Sequence, residues 1–86
     1  MRELEKVLKA LANRRRLALL KYLKFHKRAS VGELAAAIKL SFKATSKHLG
    51  VLKVVDIVES EQVGVEVFYA LAAIPPAAAK YIIGNL

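Results

Sequence analysis

The chain has 86 residues, 56% of them hydrophobic, and a formal net charge of +8 from 15 Lys and Arg against 7 Asp and Glu. That length holds one domain, 1–86, with a single modest core, and the absence of cysteine excludes disulfides, thiolate metal sites and thiol catalysis. No apolar run approaches the roughly 20 residues needed to cross a bilayer, and the charged N-terminus lacks the pattern of a secretory leader, so no membrane association and a cytoplasmic location are expected.

Leu4, Val7, Leu8 and Leu11 recur at helical spacing and predict a first helix over about residues 2–12. Asn13 can cap a second, with Leu17, Leu20 and Leu23 inward, running to about Lys27. Ser30 and Glu33 form a capping-box pattern that opens a short third helix through Ile38. Ser41 opens a fourth, and Asp56 closes it, because Asp tolerates the left-handed conformation of a helix stop. The period then switches from helical to alternating: Ile57–Glu61 and Val65–Leu71 read as a hairpin about Gln62, Val63 and Gly64. Val65, Val67, Tyr69 and Leu71 share one face of its second strand, and Glu66, Phe68 and Ala70 the other. Pro75 and Pro76 suit the first turn of a last helix that Ala77 to Ile83 continue.

The fold class is therefore mainly α with a small β-hairpin, in the order α-α-α-α-β-β-α of a winged helix-turn-helix. The helix-turn-helix spans about residues 30–55, its two helices separated by Lys39 and Leu40, and the wing about 57–71.

The charge is lopsided along this order. Residues 1–54 hold 14 of the 15 Lys and Arg against Glu3, Glu5 and Glu33, a net +11, while residues 55–86 hold Lys80 against four acids, a net −3. A cationic field confined to the helical part suits a polyanion met in one orientation; a merely solubilising surface is the alternative.

The fourth helix is the most informative segment. Thr45, Leu49 and Leu52 fall at i, i+4 and i+7 and define its buried face, which leaves Phe42, Lys43, Ser46, Lys47 and Gly50 outward. A face with cations and hydroxyls and no acid offers donors to phosphate oxygens and base edges. Lys43 and Lys47 are the best candidates for groove contact, with Ser46 between them and Ser41 able to cap the helix and donate to phosphate. Phe42 is expected to fold back onto the third helix, with a thymine methyl as its other partner. His48 is placed on the inner flank, bonded to backbone, with base contact as the alternative.

In order and spacing these residues resemble the ArsR-type winged helix-turn-helix regulators. The resemblance rests on Leu8-Lys9-Ala10-Leu11-Ala12-Asn13, Arg16-Leu17, Gly32-Glu33-Leu34-Ala35, Leu40-Ser41 with Ser46, His48-Leu49 and Val51-Leu52, and Gly64 followed by Phe68-Tyr69-Ala70-Leu71. It implies a homodimeric transcriptional repressor that binds an inverted repeat of double-stranded DNA, with the fourth helix in the major groove. It further implies that the terminal helices, about 2–12 and 75–85, pack across the two-fold axis. The residues independently suggest a dimer, since Leu4, Val7, Leu8 and Leu11 with Ile74, Ile82, Ile83 and Leu86 supply more apolar surface than a small core needs; the alternative is that they cover the protomer's own core.

Three departures from the family pattern stand out. The cysteine and acid-imidazole metal ligands of many relatives are missing, and His26 and His48 are too few for a ligand set, so neither metal nor cofactor is expected. Glu59, Glu61 and Glu66 make the wing acidic, which would repel phosphate. Arg14, Arg15 and Arg16 crowd the first turn of the second helix, against its dipole; phosphate contact by Arg14 and Arg15 would offset that cost, as would acid pairing or an intersubunit contact, and Arg16 matches a position commonly structural in the family. No catalytic grouping is present, so an enzyme is not expected. A protein-interaction module, or a chromatin-like coat on DNA, are the alternatives to a regulator. A small-molecule or protein effector is compatible with every reading; Tyr22 and Tyr81 mark one place for an apolar pocket, with packing beside an interface as the expected alternative.

Overall fold

The computed structural model describes residues 2–86. Its elements are α1 (Arg2–Leu11), α2 (Arg14–Phe25), β1 (Ala29–Ser30), α3 (Val31–Ile38), α4 (Phe42–Val54), β2 (Val58–Val63), β3 (Glu66–Leu71) and α5 (Ala77–Gly84). The five helices fall where the sequence pattern places them, and so does the hairpin except at its tip: Gln62 and Val63 extend β2, and Val65, expected on the strand face of Val67, Tyr69 and Leu71, sits with Gly64 in the turn and is 98% exposed. A third strand has no counterpart in that pattern: β1 pairs antiparallel with β3, Ala29 opposite Tyr69 and Ser30 opposite Phe68, giving a sheet ordered β1-β3-β2.

The helix starts follow the capping chemistry. Asn13 Oδ1 accepts from the backbone N–H groups of Arg15 and Arg16 at 2.9 and 3.1 Å, Ser30 Oγ from Glu33 at 3.1 Å, and Ser41 Oγ from Ala44 at 3.1 Å. The capping box at Ser30 is only half formed. The Glu33 carboxylate accepts instead from the Tyr22 hydroxyl at 2.6 Å, tying α3 to α2 and raising the Tyr22 pKa above the usual phenol value through that hydrogen bond, with burial and the Glu33 charge adding.

Two helix stops frame α4. Lys39 (φ 56°) and Asp56 (φ 60°) adopt the left-handed conformation, and behind each the chain closes a Schellman pair. Leu40 N–H donates to Ala35 O and Lys39 N–H to Ala36 O; Ile57 N–H donates to Leu52 O and Asp56 N–H to Lys53 O. Each left-handed residue costs roughly 1 kcal/mol relative to glycine, and in return the chain turns sharply into α4 and out of it. At the hairpin tip Gly64 (φ 64°) supplies the positive φ that a two-residue turn demands.

The core gathers Val7, Ala10 and Leu11 from α1, Leu19, Leu20 and Leu23 from α2, Leu34 from α3, Leu49 and Leu52 from α4, and Ile57, Val58, Tyr69, Ala79 and Ile83 beyond. Leu17 is only half-buried, and Leu19 takes the inward place expected of it. The helix α2 stops at Phe25, short of Lys27. Pro75 and Pro76 precede α5: Pro76 is its N-cap, and the Pro76 carbonyl accepts from Lys80 N–H at 2.9 Å.

Thr45, fully buried beneath α4, has a hydroxyl with no hydrogen-bond partner. An orphaned buried hydroxyl costs about 1–3 kcal/mol. Thr45→Val, which replaces the hydroxyl by a methyl of similar size, is therefore expected to raise unfolding stability by about 1 kcal/mol in urea titration; a loss of stability would mean that the hydroxyl has a partner.

Candidate nucleic-acid interface

The buried triad Thr45, Leu49 and Leu52 fixes the rotation of α4 about its axis. What remains outside is Phe42, Lys43 and Lys47, all exposed, with Ser46 and Gly50 half-buried beside them. The expectation for Phe42 fails: its ring is 62% exposed and does not pack on α3. The reason is positional, because Phe42 is the first residue of α4 and lies three residues before Thr45, on the rim of the buried stripe.

His48 is half-buried, and its bond is to a side chain, not to backbone. Its Nδ1 lies 3.1 Å from the Arg16 guanidinium. The same guanidinium donates through Nε to Ala10 O at 2.6 Å and through its other terminal nitrogen to Lys9 O at 3.2 Å. Arg16 thus satisfies carbonyls at the C-terminus of α1, where a cation is favoured, and offsets its own unfavourable place in the first turn of α2. Neither phosphate nor an acid is needed to explain it.

Arg14 is exposed and Arg15 half-buried; neither side chain forms an ion pair among the described residues, where the pairs are Lys9–Glu5 at 3.9 Å and Arg28–Glu61 at 3.1 Å. Arg15 is close enough to α4 to act on His48 electrostatically.

The wing's acids are sorted by register. Glu59 stands opposite Ala70, and Glu61 opposite Phe68, so both lie on the sheet face away from buried Val58 and Tyr69. Arg28 stacks over the Phe68 ring at 4.5 Å and pairs with Glu61. On the other face, Lys53 Nζ donates to Ser60 Oγ at 2.7 Å and ties the end of α4 to β2. Glu59 and Glu61 therefore lie on the sheet face opposite to the one that α4 meets through Lys53.

The residues expected at a dimer interface divide. Leu4 and Leu8 are 42% and 47% exposed, and Ile82 is half-buried, whereas Val7, Leu11 and Ile83 are buried within the protomer. Those last three are a correction: α1 and α5 pack on each other and on α2, which consumes one side of each terminal helix. Exposed Ile74, counted in the apolar surplus from sequence, and exposed Tyr81 add to the exposed apolar surface; exposed Val54 near the end of α4 is the one that sequence reasoning passed over. Among the described residues no three His, Asp or Glu side chains gather as a metal site, and no helix is long and apolar enough to cross a membrane.

Helices α2 to α4 followed by the β2–β3 ribbon define a winged helix-turn-helix protein. The model of the bacterial regulatory proteins of the arsR family matches residues 13–60, more than half of the chain, and the chain belongs to that family. The transcriptional activator HlyU of Vibrio cholerae is 40% identical over 67 residues, 78% of this chain and 61% of that protein, so the match spans less than two thirds of that relative. The structure of reduced HlyU from Vibrio cholerae is similar with a TM-score of 0.83 and 36% identity, covering 98% of this chain and 84% of that one. A homodimeric winged helix-turn-helix DNA-binding domain from Mycobacterium bovis is similar with a TM-score of 0.82 and 28% identity, covering 96% and 73% of the two chains.

A guanidinium only donates, so His48 Nδ1 is an acceptor and the ring is neutral. Partial burial, then the charges of Arg16, Arg15 and Lys47, lower the His48 pKa below the ordinary 6.5. As pH falls through that ordinary value the unfolded chain takes the proton first, so His48 removes stability progressively toward its lower folded pKa. His48→Asn, which keeps an acceptor near Nδ1 but does not titrate, is expected to lose less melting temperature than the native chain between about pH 7.5 and about pH 5; equal losses would show that His48 is not held neutral.

Proposed function

We propose that the protein is a transcriptional regulator that binds double-stranded DNA as a homodimer, with α4 in the major groove. The observation that carries this reading is the outward face of α4: Lys43 and Lys47 exposed, with hydroxyls of Ser41 and Ser46 beside them and no acid on that face. Lysines donate to guanine edges or neutralise phosphate, and exposed Phe42 is free to meet a thymine methyl. Arg14 and Arg15, unpaired, reach phosphate beside it. His48 is assigned no base contact, because Arg16 engages its ring; it positions α4. Leu4, Leu8 and Ile82, joined by exposed Ile74 and Tyr81, supply the dimer contact, and membership of a family of regulators agrees with a binding role and not a catalytic one. A two-fold dimer places its two α4 helices about one DNA turn, roughly 34 Å, apart on an inverted repeat. Repression by occupying a promoter is the simplest output of DNA binding alone, and the activator HlyU marks the opposite output as the one to distinguish.

The test begins with selection of bound sequences from a random duplex pool, in which a palindrome should emerge. On that site Lys43→Glu and Lys47→Glu are each expected to weaken binding by about tenfold or more and to lower the salt slope by about one ion. Unchanged affinity in both would show that α4 is not the reading helix, and an unenriched pool would indicate coating of DNA. The acidic outer face of the wing favours a second reading, a protein-interaction module, which predicts no DNA retardation even at low salt.

Leu4→Lys combined with Leu8→Lys is expected to convert the dimer to a monomer in sedimentation equilibrium. Retention of the dimer would place the interface elsewhere.

A further inference from the structure

A cavity of about 470 Å3 lies on the outer side of α2, between it and the C-terminal end of α3. Neither terminal helix nor α4 contributes to it, so it is separate from the proposed dimer contact; Arg14 and Arg15, proposed above as phosphate contacts, line it, so a bound anion and DNA would compete for them. We propose that it binds a small, flat aromatic anion of the aryl carboxylate class.

Three features of the lining carry the proposal. Ala18, Ala37 and Ile38 give the open groove an apolar lining, and the two alanines leave room above it; the volume falls within the range of roughly 300–1,000 Å3 of small-molecule sites. Aromatic rings form a wall. Tyr22 and His26 stack face to face with centroids 3.9 Å apart and planes within 9°, and the Tyr22 hydroxyl is held by Glu33, so the pair is oriented before any ligand arrives. Phe25 adds a ring that is 66% exposed, a large apolar surface left in water unless something covers it. Finally, Arg14, Arg15 and Lys21 complete the lining. No acid lines the cavity, and none of the three cations is in an ion pair among the described residues.

An apolar lining selects for a hydrophobic body, a rigid aromatic wall for a flat one, and unpaired cations for a negative charge. A guanidinium pair with aromatic neighbours suits a carboxylate, which Arg meets bidentately. A neutral ring would leave those cations unused, and a free phosphate would leave the rings unused.

The test is a fluorescence titration of the DNA-free protein with 8-anilinonaphthalene-1-sulfonate, followed by displacement with 2-naphthoate and with its neutral counterpart 2-naphthylmethanol. Saturable binding of one dye per protomer is expected, with naphthoate displacing it at least tenfold better than the alcohol. Arg14→Gln combined with Arg15→Gln should weaken naphthoate at least tenfold, and Ala37→Trp, at an exposed position, should fill the cavity and abolish binding while the melting temperature stays near native; Phe25→Ala gives a second test should the tryptophan variant unfold. Equal displacement by the alcohol, or unchanged affinity in the arginine variant and in Phe25→Ala, would overturn the proposal. So would loss of the dye site in the Leu4→Lys, Leu8→Lys variant alone, which would put the dye on the terminal helices. Because no DNA is present, failure here leaves the regulator reading standing, and failure of that reading leaves this site standing.

Discussion

Arg16 is the joint on which the arrangement depends. One guanidinium closes the C-terminal carbonyls of α1, sits in the first turn of α2 and meets His48 on α4, so three helices share a single rigid, always charged donor fork. Lysine could not do this, because a point charge lacks the fixed fan of donors that three acceptors need. The consequence for function is orientation. With His48 held from behind and Leu49 and Leu52 in the core, α4 has one rotational setting, and Lys43 and Lys47 are left exposed.

The electrostatics follow from the same partition. Cations that serve the fold, Arg16 and Arg28, are engaged with carbonyls, an imidazole, a carboxylate or an aromatic ring. Lys43 and Lys47 are left free. The wing's carboxylates, which on sequence alone argue against a polyanion partner, are turned to the other sheet face, and one of them is occupied by Arg28. A polyanion approaching α4 meets an unopposed positive surface.

Much of the fold was legible in the residues, for local reasons. Asn13, Ser30 and Ser41 mark helix starts because their side chains replace missing backbone acceptors within three residues, and Asp56 marks a stop because it tolerates a positive φ; all four act as expected. The alternation of Val67, Tyr69 and Leu71 likewise predicts a strand and its inward face. What escaped was non-local. Two residues, Ala29 and Ser30, are too short a run to show alternation, and they become a strand only because β3 lies alongside. The link from Arg16 to His48 joins positions 32 apart in sequence, and no periodicity reports it. Val7, Leu11 and Ile83 look the same in sequence as Leu4 and Leu8, since apolar spacing identifies a helix face without saying whether the same chain or another covers it. The cavity beside Tyr22 was legible only in part: Tyr22 marks it, but Tyr81 does not line it, and Ala18 and Ala37 matter there for what they lack.

The absence of cysteine makes the placement of α4 directly measurable. Adding a side chain at Gly50 meets no atom within 4 Å, so Gly50→Cys can carry an iron chelate that cuts nearby DNA strands without removing a lysine. Bound to its selected duplex, this derivative should produce two cutting clusters in the major groove, related by two-fold symmetry and about one helical turn apart. Bound DNA that is left uncut, or is cut only when the chelate is moved to Glu66→Cys on the wing, would contradict the claim that α4 is the surface presented to the groove.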